Sequence, residues 1–119
     1  MTSRKRVLVV EDDVDIRAMI QITLEAEGHE VLLASNGVEG LAQARSGRID
    51  VVLLDLKMPV MDGWEFARRY REGRGKAPIV VLSAAQDAER QARDLGARHA
   101  LTKPFNLDSL ISVVASIKA

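Results

Sequence analysis

Cysteine is absent from all 119 residues, which removes disulfides, thiol catalysis and cysteine-bound metal from consideration. An excess of either charge is absent too, since 17 lysines and arginines face 17 aspartates and glutamates. A chain so balanced has no global field to draw it onto nucleic acid or an anionic membrane. No apolar run approaches the ~20 residues of a bilayer span. The basic start, Met1 to Arg6, leads into a short apolar run that ends in acids, unlike a secretory signal. A cytoplasmic protein is therefore expected. Linkers and low-complexity tracts are missing as well, so one domain over residues 1–119 is expected. Such a chain can bury roughly two thirds of its unfolded surface and needs no staples.

What is present is alternation. Short apolar runs recur at Val7–Val10, Val31–Ala34, Val51–Leu54 and Ile79–Leu82, with a weaker one at Ala100–Thr102. Each is followed by a segment of helical character. Ile16, Ile20 and Leu24 share one face of a first helix. Asn36 with Glu39 has the spacing of a capping box for a second, which Gly47 is placed to close. Asp62 with Glu65 repeats the signature for a third, and Gln86 to Leu95 reads as a fourth, ended by Gly96. Leu107, Leu110, Ile111, Val114 and Ile117 stripe a fifth. Strict strand–helix alternation means an α/β fold: a doubly wound (βα)5 domain with a parallel sheet covered on both faces. Periodicity alone leaves the strand order open.

The chemistry-bearing residues stand where the apolar runs end. Val51 to Leu54 runs straight into Asp55, at the strand edge where open α/β sheets place ligands. A carboxylate there can be a nucleophile or a metal ligand. The first run ends in Glu11-Asp12-Asp13. If the first and third strands are neighbours, two carboxylates ~5 Å apart repel by about 3 kcal/mol at an effective dielectric of ~20, so a counter-charge is implied. Mg²⁺ suits, because it takes oxygen ligands and keeps waters. The plainer reading is that these acids only cap the first helix. Ser83 ends the fourth run, followed by Ala84 and Ala85, two small residues that leave open space above the sheet; alone it reads as a turn residue. Lys103 ends the fifth, with Pro104 fixing the turn behind it; alone it reads as a solvated charge. His29 and His99 are read as surface residues without a role, and Trp64 as a core residue. Four strand ends bearing acid, acid, hydroxyl and ammonium in this order form a specific signal.

On Val7-Leu8-Val9-Val10-Glu11-Asp12-Asp13, Leu53 to Gly63 and Leu101-Thr102-Lys103-Pro104-Phe105, the chain resembles the response-regulator receiver domains of two-component signalling. The resemblance covers nearly the whole length. It implies a flavodoxin-like sheet of order 2-1-3-4-5 and phosphorylation of Asp55 by a histidine kinase or a histidine phosphotransfer protein. It further implies Mg²⁺ held by Asp12, Asp55 and the Lys57 backbone carbonyl, with Glu11 acting through water. Ser83 would contact the phosphoryl group, Lys103 would pair with it, and the Lys103–Pro104 bond would be cis. The output would be a changed surface for a downstream effector protein or domain, with no enzyme activity beyond self-phosphorylation and dephosphorylation, and no binding to nucleic acid or membrane by this domain. One departure stands out. Ala100 occupies the place, three residues before the lysine, where the family commonly carries an aromatic, and at 3% aromatics little nearby can replace it. An aspartyl-nucleophile phosphatase would want a second aspartate where Lys57 stands. A flavin carrier would want a phosphate cradle where Glu11 to Asp13 lie. A receiver-like scaffold that is never phosphorylated would have no use for the intact site set.

Overall fold

Each apolar run forms a strand, and the computed structural model describes residues 3–84 and 86–118. The strands are β1 (Arg6–Val10), β2 (Glu30–Ala34), β3 (Val51–Asp55), β4 (Ile79–Ser83) and β5 (His99–Thr102). They alternate with α1 (Val14–Ala26), α2 (Gly37–Ala44), α3 (Gly63–Glu72), α4 (Ala88–Leu95) and α5 (Leu107–Ser116). All pairs are parallel and the order is β2-β1-β3-β4-β5. The doubly wound fold and the strand order implied by the resemblance are both observed.

The central strands read as continuous apolar runs because both of their faces are covered. Leu8, Val10, Val52, Leu54, Ile79 and Val81 face α2, α3 and α4, packing with Leu41, Phe66, Ala67, Tyr70, Ala92 and Leu95. The alternate residues, Val7, Val9, Val51, Leu53, Val80 and Leu82, face α1 and α5 through Ile20, Leu24, Leu110, Val114 and Ile117. Each large aliphatic side chain withdrawn from water this way contributes about 2 kcal/mol.

The helix signals hold with local differences. Asn36 and Asp62 cap α2 and α3 by accepting from the N–H of Glu39 and Glu65, each at 2.9 Å. Neither glutamate completes a reciprocal box. Glu39 reaches one residue further back, to the Ser35 N–H and hydroxyl at 2.8 and 2.7 Å, while Glu65 turns to Arg68 and Arg69. Gly47 does not close α2, which ends at Ala44 with Arg45 as its cap. It sits in the following turn at φ 149°, where a Cβ would come within 2.8 Å of the Arg6 guanidinium. Gly96 does end α4, in the left-handed region at φ 79°. The fourth helix begins at Ala88, later than the expected Gln86, and its N-cap Asp87 makes no side-chain cap bond. Ala85 lies outside the described residues.

His29 is a correction. It is buried, not on the surface, and its Nδ1 accepts the Lys5 backbone N–H at 3.0 Å. That amide sits just before β1, outside the sheet ladder, and needs an acceptor. Burial and then the Lys5 charge hold the imidazole pKa below its ordinary value, against Glu27. Among the described residues no helix is long and apolar enough to cross a membrane.

Candidate functional site

The strand register decides what meets at the carboxyl edge. Val10 pairs with Leu54, so Glu11 and Asp55 leave adjacent strands side by side. Asp55 pairs with Leu82 and Ser83 with Thr102, which sets the hydroxyl and Lys103 one step along the same edge. The Lys103 N–H donates to the Ser83 carbonyl at 2.8 Å, extending that pairing by one residue. The Lys103–Pro104 bond is cis, as expected.

Of the three acids after β1, each has its own place. Asp13 turns into the helix as N-cap of α1, its Oδ1 accepting from the N–H groups of Asp15 and Ile16 at 2.9 and 3.0 Å. Glu11 is fully buried, and its Oε2 accepts from the Asp13 N–H at 3.1 Å. Arg17, a residue without a role in the sequence reading, steadies this turn by donating to the Glu11 carbonyl at 2.8 Å. Asp12 stays exposed. Glu11, Asp12 and Asp55 each offer an oxygen, and these three lie within 4.8 Å of one another.

Lys103 supplies one countercharge. Its Nζ is 2.6 Å from Glu11 Oε1 and 3.4 Å from Asp55 Oδ2. Burial works against the ammonium, but the Glu11 and Asp55 carboxylates override it and hold its pKa above the usual value. Asp55 is only 5% exposed, and its Oδ1 accepts from the Lys57 N–H at 3.1 Å. Burial first, and then Glu11, push the Asp55 pKa up to about 7, with Lys103 pulling the other way. Three carboxylates against one ammonium leave the cluster short of positive charge. Glu11 Oε1, although close to Lys103, accepts no well-aligned hydrogen bond. Hard oxygen donors, one of them exposed, suit a small divalent cation that keeps waters. The residues fit a metal.

The cluster floors a hollow of about 570 Å³, which Lys57, Ser83 and Lys103 also line. Trp64 stands at its rim, 40% exposed, where a core position was expected. Phe66, Ala67 and Tyr70 occupy the inward face of α3, and a residue two before Phe66 points the other way. Ser83 is buried and its hydroxyl donates to Gln91 Oε1 at 2.8 Å. The sequence reading missed Gln91. Its signal was there: Ala88, Gln91, Ala92 and Leu95 are spaced as one helical stripe, with a polar residue inside it.

A family model described as the response regulator receiver domain matches residues 7–115. The chain belongs to that family, the receiver domains of two-component response regulators. The cell cycle response regulator CtrA of Brucella ovis is 38% identical over 114 residues, spanning 94% of this chain and 49% of that protein. The transcriptional regulatory protein PcoR of Escherichia coli is 32% identical over 115 residues, spanning 95% and 51%. The chain thus spans about half the length of these curated relatives. Chemotaxis protein CheY4 of Vibrio cholerae superposes with a TM-score of 0.86 at 34% identity, covering 98% of this chain and 100% of that one. Response regulator TrrA of Thermotoga maritima, solved in complex with Mg²⁺ and BeF, gives 0.81 at 36% identity, covering 92% and 96%.

Proposed function

We propose that Asp55 accepts the phosphoryl group in this receiver domain. The observation that carries the reading is the burial of Asp55 in a cluster with Glu11 and Asp12, with the Lys103 ammonium reaching both Glu11 and Asp55. An aspartate carboxylate is a competent nucleophile toward phosphorus. Its oxygen forms the new P–O bond as the donor's P–N bond to histidine, or the P–O bond of acetyl phosphate, breaks in line. Such transfer needs positioning and neutralisation of the equatorial oxygens more than acid–base groups. Asp12, Asp55 and the Lys57 carbonyl would hold Mg²⁺ directly, with Glu11 acting through water. When bound, the ion supplies positive charge against the phosphoryl oxygens. Lys103 pairs with one of those oxygens and Ser83 donates to another. Lys57 anchors Asp55 through its own N–H, which keeps the acceptor oxygen aimed at the hollow.

On this reading residues 1–119 act as one phosphoacceptor domain whose catalysis is limited to its own phosphorylation and dephosphorylation. Its partners are a histidine kinase or histidine phosphotransfer protein, and an effector protein or domain that reads the switched surface. A cytoplasmic location goes with those partners. Incubation with acetyl phosphate should add one phosphoryl group that Mg²⁺ chelation prevents and hydroxylamine removes, as for an acyl phosphate. A label stable to hydroxylamine would place the group on a different side chain.

A further inference from the structure

We propose that Gln91 is a positioning residue for Ser83, a proton acceptor that a phosphoryl group on Asp55 must outcompete, so that occupancy of the site is passed directly to α4. The inference rests on Asp55 being the phosphoacceptor. Ser83 ends β4 one strand from Asp55, lines the same hollow, and donates to Gln91 Oε1 at 2.8 Å. A serine has a single proton to donate. It cannot serve the amide oxygen and a phosphoryl oxygen together, and the charged oxygen is the stronger acceptor. Phosphorylation therefore draws the hydroxyl from Gln91.

What Gln91 loses then matters to its helix. Arg71 of α3 holds the C-terminal end of α4 by donating to the Leu95 and Gly96 carbonyls. Toward the sheet, however, the other anchors of α4 are slight: its buried side chains are Ala88, Ala92 and Leu95, two of them single methyl groups. Its N-cap Asp87 makes no cap bond and pairs instead with Arg90 on the same helix. On the neighbouring β5, Ala100 adds little bulk beneath it. The Ser83–Gln91 bond is thus a prominent polar tie between α4 and the sheet, and moving one proton donation loosens the helix. Two alternative acceptors for one hydroxyl make a two-state element that a local charge can bias.

The test is a cycle of beryllofluoride affinities in Mg²⁺, read by Trp64 fluorescence, for wild type, Gln91→Met, Ser83→Ala and the double variant. Methionine keeps the length and helix preference but cannot accept the proton strongly; Gln91→Leu serves as a second variant. Removing the competitor should tighten binding about fivefold. The same change in the Ser83→Ala background should have no effect, which a merely structural role would not produce. Amide exchange over Ala88–Leu95 in unliganded Gln91→Met should match that of liganded wild type. Unchanged or weaker binding by both Gln91 variants, or an equal effect in both backgrounds, overturns the inference while leaving the phosphoacceptor reading intact. Failure of the wild type itself to bind beryllofluoride would remove both.

Discussion

At Asp55 the fold holds a carboxylate against its own electrostatics. Burial and the Glu11 charge raise its pKa to about 7, so the metal-free folded state keeps a proton that the unfolded chain releases in the ordinary carboxylate range. Stability rises with pH only where the unfolded state binds more protons; here the folded state binds more. This site therefore withdraws stability as pH climbs from about 4 to about 7, and the loss is complete above that. Metal-free thermal melts should show Asp55→Asn flattening this fall, with a Tm roughly 5 °C above wild type at pH 8. Mg²⁺ should raise the wild-type Tm at that pH and leave the Asn variant nearly unmoved. An Asn variant that falls as steeply as wild type would put the conflict elsewhere. The neighbouring acids divide more sharply than their adjacency in sequence suggests. Asp12→Ala should abolish Mg²⁺ binding in calorimetry. Asp13→Ala should keep it and instead cost about 1 kcal/mol of stability through the lost cap of α1. Equal losses of Mg²⁺ binding would shift the assigned register by one residue.

At the scale of elements, legibility in the sequence followed the number of covered faces. Strands β1, β3 and β4 were plain because burial on two faces demands unbroken apolar runs, and α1 and α5 because their stripes are aliphatic. The start of α4 was obscure for the opposite reason, since alanines carry little apolar signal and Asp87 makes no cap bond. Gly47 reads from its spacing as a helix end, but its freedom serves the turn beyond and the passing Arg6. His29 and Trp64 exchanged surface and interior because each is decided by a neighbour distant in sequence or by helix phase, which a single side chain does not announce. Gly63 shows an element acting on the site directly. It opens α3, and its N–H donates to the Leu56 carbonyl at 3.0 Å. A Cβ there would lie 2.5 Å from the Asp55 carbonyl oxygen and 2.7 Å from the Leu56 Cα, backbone atoms that cannot swing aside. Gly63→Ala should cost about 3 kcal/mol in urea denaturation. It should also slow phosphorylation by displacing Asp55; a variant with wild-type stability would mean the α3 start moves freely.

The whole molecule gathers residues 11 to 103 at one edge because a doubly wound parallel sheet turns every strand end the same way. The alternation of runs predicted that edge, and with it Asp55, Ser83, Lys103 and the acids. It did not predict that β1 and β3 are neighbours, which is what brings Glu11 and Asp12 to Asp55; the family resemblance supplied that. Nor could composition reveal the Ser83–Gln91 bond, which depends on how α4 crosses the edge. Burial, acids and ammonium converge on Asp55, and the account stands on its being the acceptor. Intact mass after acetyl phosphate and Mg²⁺ measures this most directly. Wild type should gain one phosphoryl mass and Asp55→Asn none, whereas undiminished labelling of the Asn variant would contradict the account.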